Sequence, residues 1–489
     1  MLGKSISSIF LLEWSGNTFR SPSQTLSWLR KGVAPAPPFL YTPVRVGLPR
    51  LGVARPPREG AGNGHARACQ RTSAMEIESP RLRNRLMAIP VRQGGALYIV
   101  LQDQEGLTRE TLVLSQPAYF LVTLMDGTNT LVDIQAAYMR QFGQMLFRED
   151  LEDLIRKLDA NLFLENDRSR AQRERIIAEF RSQPRRPAFL AGSGYEADPE
   201  KLRNQLLGFF SREHGGPGQP EPATLGRRLL GLVAPHIDLR AGGPCFAYTY
   251  KALLEAAPVS TCVILGTGHE PLSHCFALTR KDFETPLGPV AVDGEFVDEL
   301  CRRSAFDFFA DEFAHRREHT IEFQALFLRL LLPEVRIVPI LCSFGVEEVE
   351  RASEPIAAMV LALRETMETC PRPLCILASV DLAHIGPRYG DSFQPHAGTV
   401  RETALADERL LETVAAVDPK SFAAQLIRER NCRRICGLPP LYILLKVLEG
   451  RASGQLLHYA ATEVDPHHSF VSFASMVLYD RGAEQTRIA

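Results

Sequence analysis

The chain of 489 residues lacks three features that would mark a familiar class of protein. It has no run of about 18 apolar residues, the length that spans a bilayer. Its formal net charge of −1 provides no basic surface for nucleic acid. Its ten cysteines include neither a CxxC pair nor a CxxxCxxC iron–sulfur loop. This scatter favours free thiols in a reducing compartment, so we expect a cytoplasmic protein.

The length and composition indicate a globular protein of more than one domain. Hydrophobic residues make up 45% of the chain and charged residues 23%, which is ordinary for a globular protein. Residues 1–74 differ, because they hold ten Lys and Arg residues against only Glu13 and Glu59. This segment lacks periodicity, so we interpret it as disordered or as an over-extended start of translation, with Met75 as the first residue.

Residues 90–168 are predicted to form a small α+β domain. ALYIVLQ and TLVLS are typical of strands, and three helical stretches follow, separated by the DGTNT turn. This order indicates a winged helix. The DGTNTLVDI turn and LIRKLDANLFLE resemble the PqqD-like domain of peptide-modifying systems, which implies a groove for a peptide or protein partner and no nucleic-acid binding. A small docking or dimerisation module is the alternative.

A charged helical linker at residues 169–187 leads to a second domain, residues 188–480. In this domain short apolar runs alternate with helical stretches, and HYAATEVD and FVSFASMVLY are expected as late strands. Such alternation is typical of an α/β fold whose sheet is covered by helices on both faces.

Three of the predicted strands each lead to a histidine. GLVAPHID contains His236, CVILGTGHEP contains His269 and CILASVDLAH contains His384. In an open α/β sheet, ligands bind beyond the carboxyl ends of the strands. The three histidines therefore predict one metal site at that edge of the sheet.

The same region resembles the Memo-like family, also called AmmeMemoRadiSam system protein B. The landmarks occur in family order: AGSGYEADPEKLRNQL, LVAPHIDLRAGG, LGTGHEP, TPLGPVAVD, EHTIEFQ, VPILC, SVDLAH and CGLPPLYILLKVL. The resemblance implies a fold like that of class III extradiol dioxygenases, which use non-haem iron. It also implies metal ligands at His236 and His269, and partnership with a radical-SAM protein and an AMMECR-like protein.

The resemblance leaves the third metal ligand open. Family members offer Cys or Ser where this chain has Ala383, which cannot bind a metal. The coordination could be completed by His384, Asp381, His319 or a water. We include His384 in the predicted ligand set. Two histidines and a carboxylate would suit iron(II), the ion we expect first, whereas three histidines would suit zinc or copper.

Other residues near these motifs have competing interpretations. His315, Glu318 and His319 fit the H-x-x-E-H pattern of one metallopeptidase class. We instead expect His315 to be solvated and His319 to line the strand-end site as a proton donor or substrate contact. Asp381 could orient a histidine ring or cap a helix. Cys436 could be a reactive thiol at a helix start or a small buried residue.

Two functions of different classes follow from these patterns. The first is a metal-dependent redox or oxygen-handling enzyme with His319, His384 and Asp381 as catalytic residues. The second is a binding module whose cleft holds a peptide or a modified side chain without turnover, and Ala383 favours this alternative. The metal content of the purified protein separates the two.

Overall fold

The computed structural model describes residues 9–15, 18–20, 78–93, 95–221 and 227–482. The described chain divides into two compact units, one up to Glu179 and one from Phe180 onward. In these ranges no helix is long and apolar enough to cross a membrane. Most of the predicted disordered segment 1–74 lies outside the described residues.

The first unit contains a five-stranded sheet and three helices, with a fourth helix that crosses into the second unit. The strands are β1 Ile9–Ser15, β2 Thr18–Arg20, β3 Leu86–Gln93, β4 Ala96–Asp103 and β5 Thr111–Ser115, in the order β2-β1-β5-β4-β3. The helices are α1 Gln116–Thr123, α2 Leu131–Phe142, α3 Arg148–Ala160 and α4 Asp167–Ser182. The two strands predicted here are confirmed as β4 and β5, whereas the closing strand is reduced to a single bridge between Leu82 and Leu164.

The start and end of α2 follow from its sequence. Thr130 and Asp133 form a reciprocal capping box at the first turn. Gly143 ends the helix in the left-handed conformation, with φ of 66°. The buried face of α2 carries Leu131, Ile134 and Tyr138, which pack in the core of the unit. The periodicity of the sequence predicts this face.

The second unit is built on one mixed eight-stranded sheet. Its strands are β7 Leu229–Ala234, β8 Thr261–Thr267, β9 Phe276–Leu278, β11 Arg336–Cys342, β12 Leu374–Ser379, β13 His384–Ile385, β14 Ala452–Glu463 and β15 Phe470–Asp480. The order is β13-β15-β7-β12-β8-β11-β9, and β14 pairs with β15. The central strands β7, β12, β8 and β11 are parallel. A separate pair joins β6 Arg185–Arg186 to β10 Asp282–Phe283.

Helices cover both faces of this sheet, as the alternating sequence predicts. They are α5 Pro199–Gly208, α6 Leu239–Glu255, α7 Gly294–Arg302, α8 Thr320–Leu331, α9 Val346–Glu350, α10 Glu354–Thr369, α11 Ala397–Ala415, α12 Pro419–Arg428 and α13 Leu438–Leu448. Val263 and Leu265 of β8 pack in one apolar cluster, whereas Cys262 and Ile264 pack in another. Alternate side chains of one strand thus pack in two apolar clusters, one on each face of the sheet. Because both faces are covered, the strand ends are where polar side chains can gather.

Candidate metal centre

Three parallel strands deliver polar residues to one edge of the sheet. Ser379 of β12 lies in register with Ala234 of β7 and with Gly266 of β8. His236, His269 and Asp381 each follow two residues after the end of one of these strands. The predicted grouping at the carboxyl edge is therefore present for His236 and His269, whereas the third strand brings Asp381 to this edge and His384 lies on β13.

Two glycines allow other parts of the chain to approach this edge closely. A Cβ at Gly266 would lie 2.6 Å from Oγ1 of Thr320, at the start of α8. A Cβ at Gly437 would lie 2.5 Å from Cβ of Val380. Both positions therefore exclude larger residues, and the second brings Cys436 to the strand ends.

His236, His269 and Cys436 form a group that could bind a metal ion. One ligand atom from each residue lies within 4.8 Å of the other two. The Cys436 Sγ is 3.2 Å from Nε2 of His236, and the rings of His236 and His269 are edge-to-face with centroids 5.4 Å apart. Two imidazoles and a thiol are a donor set typical of zinc and copper sites.

The Nδ1 atoms of His236 and His269 are both engaged by other groups of the protein, not by the Cys436 thiol. Nδ1 of His236 donates to the Ser379 carbonyl at 3.0 Å. Nδ1 of His269 lies 3.1 and 3.2 Å from the two carboxylate oxygens of Glu318. An acceptor at Nδ1 fixes the proton there and leaves Nε2 as the metal-binding atom.

Glu318 joins His269 to a second histidine. Its carboxylate lies 2.9 Å from Nδ1 of His319 and accepts the backbone N–H groups of His269 and His319 at 3.0 and 2.8 Å. The two imidazoles stack with centroids 5.2 Å apart. His269, Glu318 and His319 are a second group whose ligand atoms lie within 4.8 Å of one another.

Burial and neighbouring charges set the protonation of this cluster. Burial, with the nearby His269 and His319, holds the pKa of His236 well below its usual value. Burial opposes ionisation of Glu318, but the charges and hydrogen bonds of His269 and His319 outweigh it and lower the pKa of the carboxyl. Burial raises the pKa of the Cys436 thiol. Without a metal, the site therefore favours neutral His236, ionised Glu318 and protonated Cys436.

Asp381 supports the backbone that carries His236. Its Oδ1 accepts the N–H groups of His236 and Ile237 at 3.0 and 3.2 Å. Its Oδ2 is buried 3.6 Å from Nε2 of His236 and has no hydrogen-bond partner in the described part of the chain. Burial raises the pKa of Asp381 to about 7. This unpaired oxygen lies beside the donor atoms of the site.

His384 does not belong to either group of donor atoms found among the described residues. Its Nδ1 lies 3.1 Å from the Leu382 carbonyl and 3.0 Å from the Arg434 carbonyl, and its ring contacts Tyr389 edge-on. Burial lowers its pKa to about 4. A metal-binding role for His384 stays a prediction.

Ala383 occupies the position at which family members offer a third metal ligand, and it lies in an apolar environment. Its side chain is fully buried and clusters with Ile385 and Phe470. Cys436 supplies the third donor atom beside His236 instead. The sequence showed Cys436 at a helix start, but 200 residues separate it from His236, so no spacing pattern could pair them.

The expectation that His315 is solvated is wrong. Its side chain is buried, and Nε2 lies 2.9 Å from the Ala277 carbonyl. His315 lies in a 3-10 helix, Glu312–Arg316, whereas His319 is the N-cap of α8. The two histidines thus do not share one helix, which the H-x-x-E-H peptidase arrangement requires.

Comparison with known proteins identifies the family to which this sequence belongs. The family described as Memo-like protein matches residues 185–477. A MEMO1 family protein of Aquifex aeolicus is 29% identical over 386 residues, covering 78% of this chain and 96% of the relative. Relatives with the same description from Methanopyrus kandleri and Thermococcus kodakarensis are 32% and 33% identical, covering 61% and 59% of this chain and 99% and 97% of theirs. The chain therefore belongs to the Memo-like family.

Proposed function

We propose that the chain binds a divalent transition metal through His236, His269 and Cys436 and uses it in redox or oxygen-handling chemistry. The observation that carries this proposal is the convergence of two imidazoles and one thiol within 4.8 Å, with both Nδ1 atoms already hydrogen-bonded. The dioxygenase-like fold implied by the family resemblance supports the same chemistry.

The donor set suits several ions. Iron is the ion expected from the sequence, and a site with open coordination positions suits iron(II). The thiol of Cys436 adds a soft ligand, which also favours copper or zinc. His384 and His319 remain proposed as a further ligand and a proton donor.

The buried carboxylate of Asp381 also fits a bound ion. The buried Oδ2 of Asp381 has no partner among the described residues, although a buried polar atom normally has one. It lies 3.6 Å from Nε2 of His236, so an ion or its water would give this oxygen a partner.

The roles of the protein groups follow from their contacts. When bound, the metal would supply the redox chemistry. Glu318 would hold His269 and His319 in fixed orientations through their Nδ1 atoms. Asp381 would hold the backbone of His236 and take up or release a proton at Oδ2. His319 would hold a proton beside the site.

The test is the metal content of protein purified anaerobically with iron, copper or zinc supplied. We expect one ion per chain, with affinity reduced about 100-fold or more in His236→Ala, His269→Ala and Cys436→Ala when one of three donors is removed. His467→Ala, which changes an exposed histidine, is the matched control. Wild-type protein that retains no metal would reject the proposal and leave the binding-module hypothesis in place.

The cellular partners are a further part of the proposal. The family resemblance supports a radical-SAM protein and an AMMECR-like protein as partners in the cytoplasm. The nine cysteines in the described part of the chain are all free thiols, which is compatible with a reducing compartment. Co-purification of either protein with the wild-type chain tests this assignment.

A peptide-binding role for the first unit is the second candidate. Its surface exposes Val132 and Met139 of α2 and Met145 and Phe147 before α3. Val132 and Met139 lie seven residues apart on one face of α2, and an exposed apolar face supports an interaction with an apolar peptide, as the PqqD-like resemblance implies. Met139→Lys and Phe147→Lys should each abolish capture of a protein partner by the full chain, whereas Arg156→Ala should not. Salt-sensitive retention of DNA by the wild-type chain would contradict this role.

A further inference from the structure

A fully buried arginine lies behind the candidate metal centre. Arg186 has the largest side chain among the residues that are almost completely buried. It belongs to the short strand β6, where it pairs with Phe283 of β10, and its guanidinium lies over the Phe283 ring. Burying a guanidinium is costly unless its donors are all engaged.

The donors of Arg186 engage both ends of the segment that carries Glu318. Nε donates to the His315 carbonyl at 2.8 Å, and Nη2 donates to the Glu318 carbonyl at 2.7 Å. Nη1 donates to the Pro187 carbonyl at 2.9 Å. One planar group thus fixes two carbonyls that lie three residues apart.

Glu322 balances the charge of Arg186 from the first turn of α8. The two side chains form an ion pair in which neither is exposed. Oε1 of Glu322 also accepts the Tyr195 hydroxyl at 2.5 Å and the Leu190 N–H at 2.9 Å. The pair therefore connects the beginning of the second unit to the helix that follows His319.

We propose that Arg186, balanced by Glu322, is a positioning residue that sets the orientation of the His269, Glu318 and His319 side chains. Arg186 fixes the Glu318 backbone, and the Glu318 carboxylate in turn holds Nδ1 of both histidines. The proposed metal function adds the consequence that Arg186 tunes metal affinity, and this part rests on that function.

Three variants distinguish a role of Arg186 in orienting side chains from a role in the stability of the fold. Arg186→Met leaves the Glu322 charge buried without its partner, which destabilises the fold. Arg186→Met combined with Glu322→Gln removes that unpaired charge and should recover much of the stability. Arg186→Lys retains a charge for Glu322, but an ammonium lacks the planar fork that reaches both carbonyls.

The first measurement needs no metal. In ¹⁵N spectra of metal-free full-length protein with labelled histidine, the Nδ1 atoms of His269 and His319 should both carry a proton in the wild type, because both face the Glu318 carboxylate. In Arg186→Lys and in the double variant both should shift toward the Nε2-protonated form that a solvated imidazole prefers. Arg372→Met, which removes an ion pair with Asp293, is the matched control and should leave both histidines unchanged.

The second measurement is Co²⁺ affinity, followed through the absorption of a Co²⁺–thiolate bond to Cys436. We expect a loss of about 10- to 100-fold in the double variant, as when groups that support metal ligands are removed. Wild-type histidine spectra in the double variant, at recovered stability, would show that the ion pair only stabilises the fold and would overturn the proposal. Failure of the wild type to bind Co²⁺ would reject the metal function, while the histidine spectra would still decide the role of Arg186.

Discussion

A buried aspartate lies at each of two edges of the large sheet, and the two carboxylates differ in how many hydrogen-bond partners they have. At the amino edge, both oxygens of Asp293 accept from Arg372 at 2.9 Å. Thr261 and the Phe296 N–H also donate to Asp293, at 2.7 and 3.2 Å. At the carboxyl edge, one oxygen of Asp381 accepts two backbone N–H groups and the other has no partner among the described residues.

The difference is the one expected between a carboxylate that serves the fold and one that serves the proposed metal site. A buried charge that serves the fold is fully compensated, because an unpaired group costs free energy. Asp381 retains an unpaired oxygen beside the imidazole of His236, and such perturbed groups cluster at functional sites. Under the proposed function, the unpaired oxygen of Asp381 costs some stability and leaves a polar atom available to a bound ion.

The largest expected effect is at the amino edge. Asp293→Ala removes the N-cap of α7 and the acceptor of the buried Thr261 hydroxyl, so we expect a loss of about 2 to 4 kcal/mol in the free energy of unfolding. Chemical denaturation measures this loss. Metal affinity should remain that of the wild type, because Asp293 touches no group of the candidate centre. A variant with unchanged stability would contradict the structural role.

Much of the second unit could be predicted from local patterns. The apolar runs before His236 and His269 become β7 and β8, and the two late strands become β14 and β15. Short β-branched runs bounded by turn residues specify strands locally. The short pair β6–β10 carries no periodic signal because its strands have two residues each, so the sequence alone predicts Arg186 in a linker.

The site could be predicted only where chain order and sheet topology suffice. Strand ends bring His236 and His269 together, as expected. Cys436 and Glu318 reach the same place through tertiary packing, at Gly437 and at the start of α8. The neighbouring Arg316 and Arg317 predict a solvated His315, although the His315 side chain itself is buried.

His315 provides an intermediate test, because it is buried near the carboxyl edge but is hydrogen-bonded like a structural group. Burial, with the charge of Arg186, lowers its pKa to about 4. A histidine that stays neutral in the folded state but is protonated in the unfolded state at pH 5 opposes folding there. His315 alone should therefore contribute a loss of about 2 to 3 kcal/mol in wild-type stability as the pH drops from 6.5 to 4. His236 and His384, whose pKa values are also lowered by burial, add losses of the same sign.

The matched variant for this prediction is His315→Gln, which removes the titrating ring. We expect this variant to lose less stability than the wild type over the same pH range, as measured by urea unfolding at each pH. Its metal affinity should be unchanged. Equal acid sensitivity in both proteins would show that His315 does not remain neutral in the fold.

The last effect has the opposite pH dependence and lies at the carboxyl edge. Burial raises the pKa of Asp381 to about 7, above its value in the unfolded chain. The contribution of this carboxyl to stability is therefore greatest at acidic pH and is lost as the pH rises toward 7.

Asp381→Asn keeps an oxygen for the two backbone N–H groups but cannot ionise. We expect the metal-free variant to be more stable than the wild type at pH 8 and to lose this advantage as the pH falls toward 5. Its metal affinity should be lower, whereas Asp298→Asn, at the surface, should change neither quantity. If Asp381→Asn instead destabilised the metal-free protein at pH 8, the carboxylate would be a structural group like Asp293, and the contrast between the two edges would not hold.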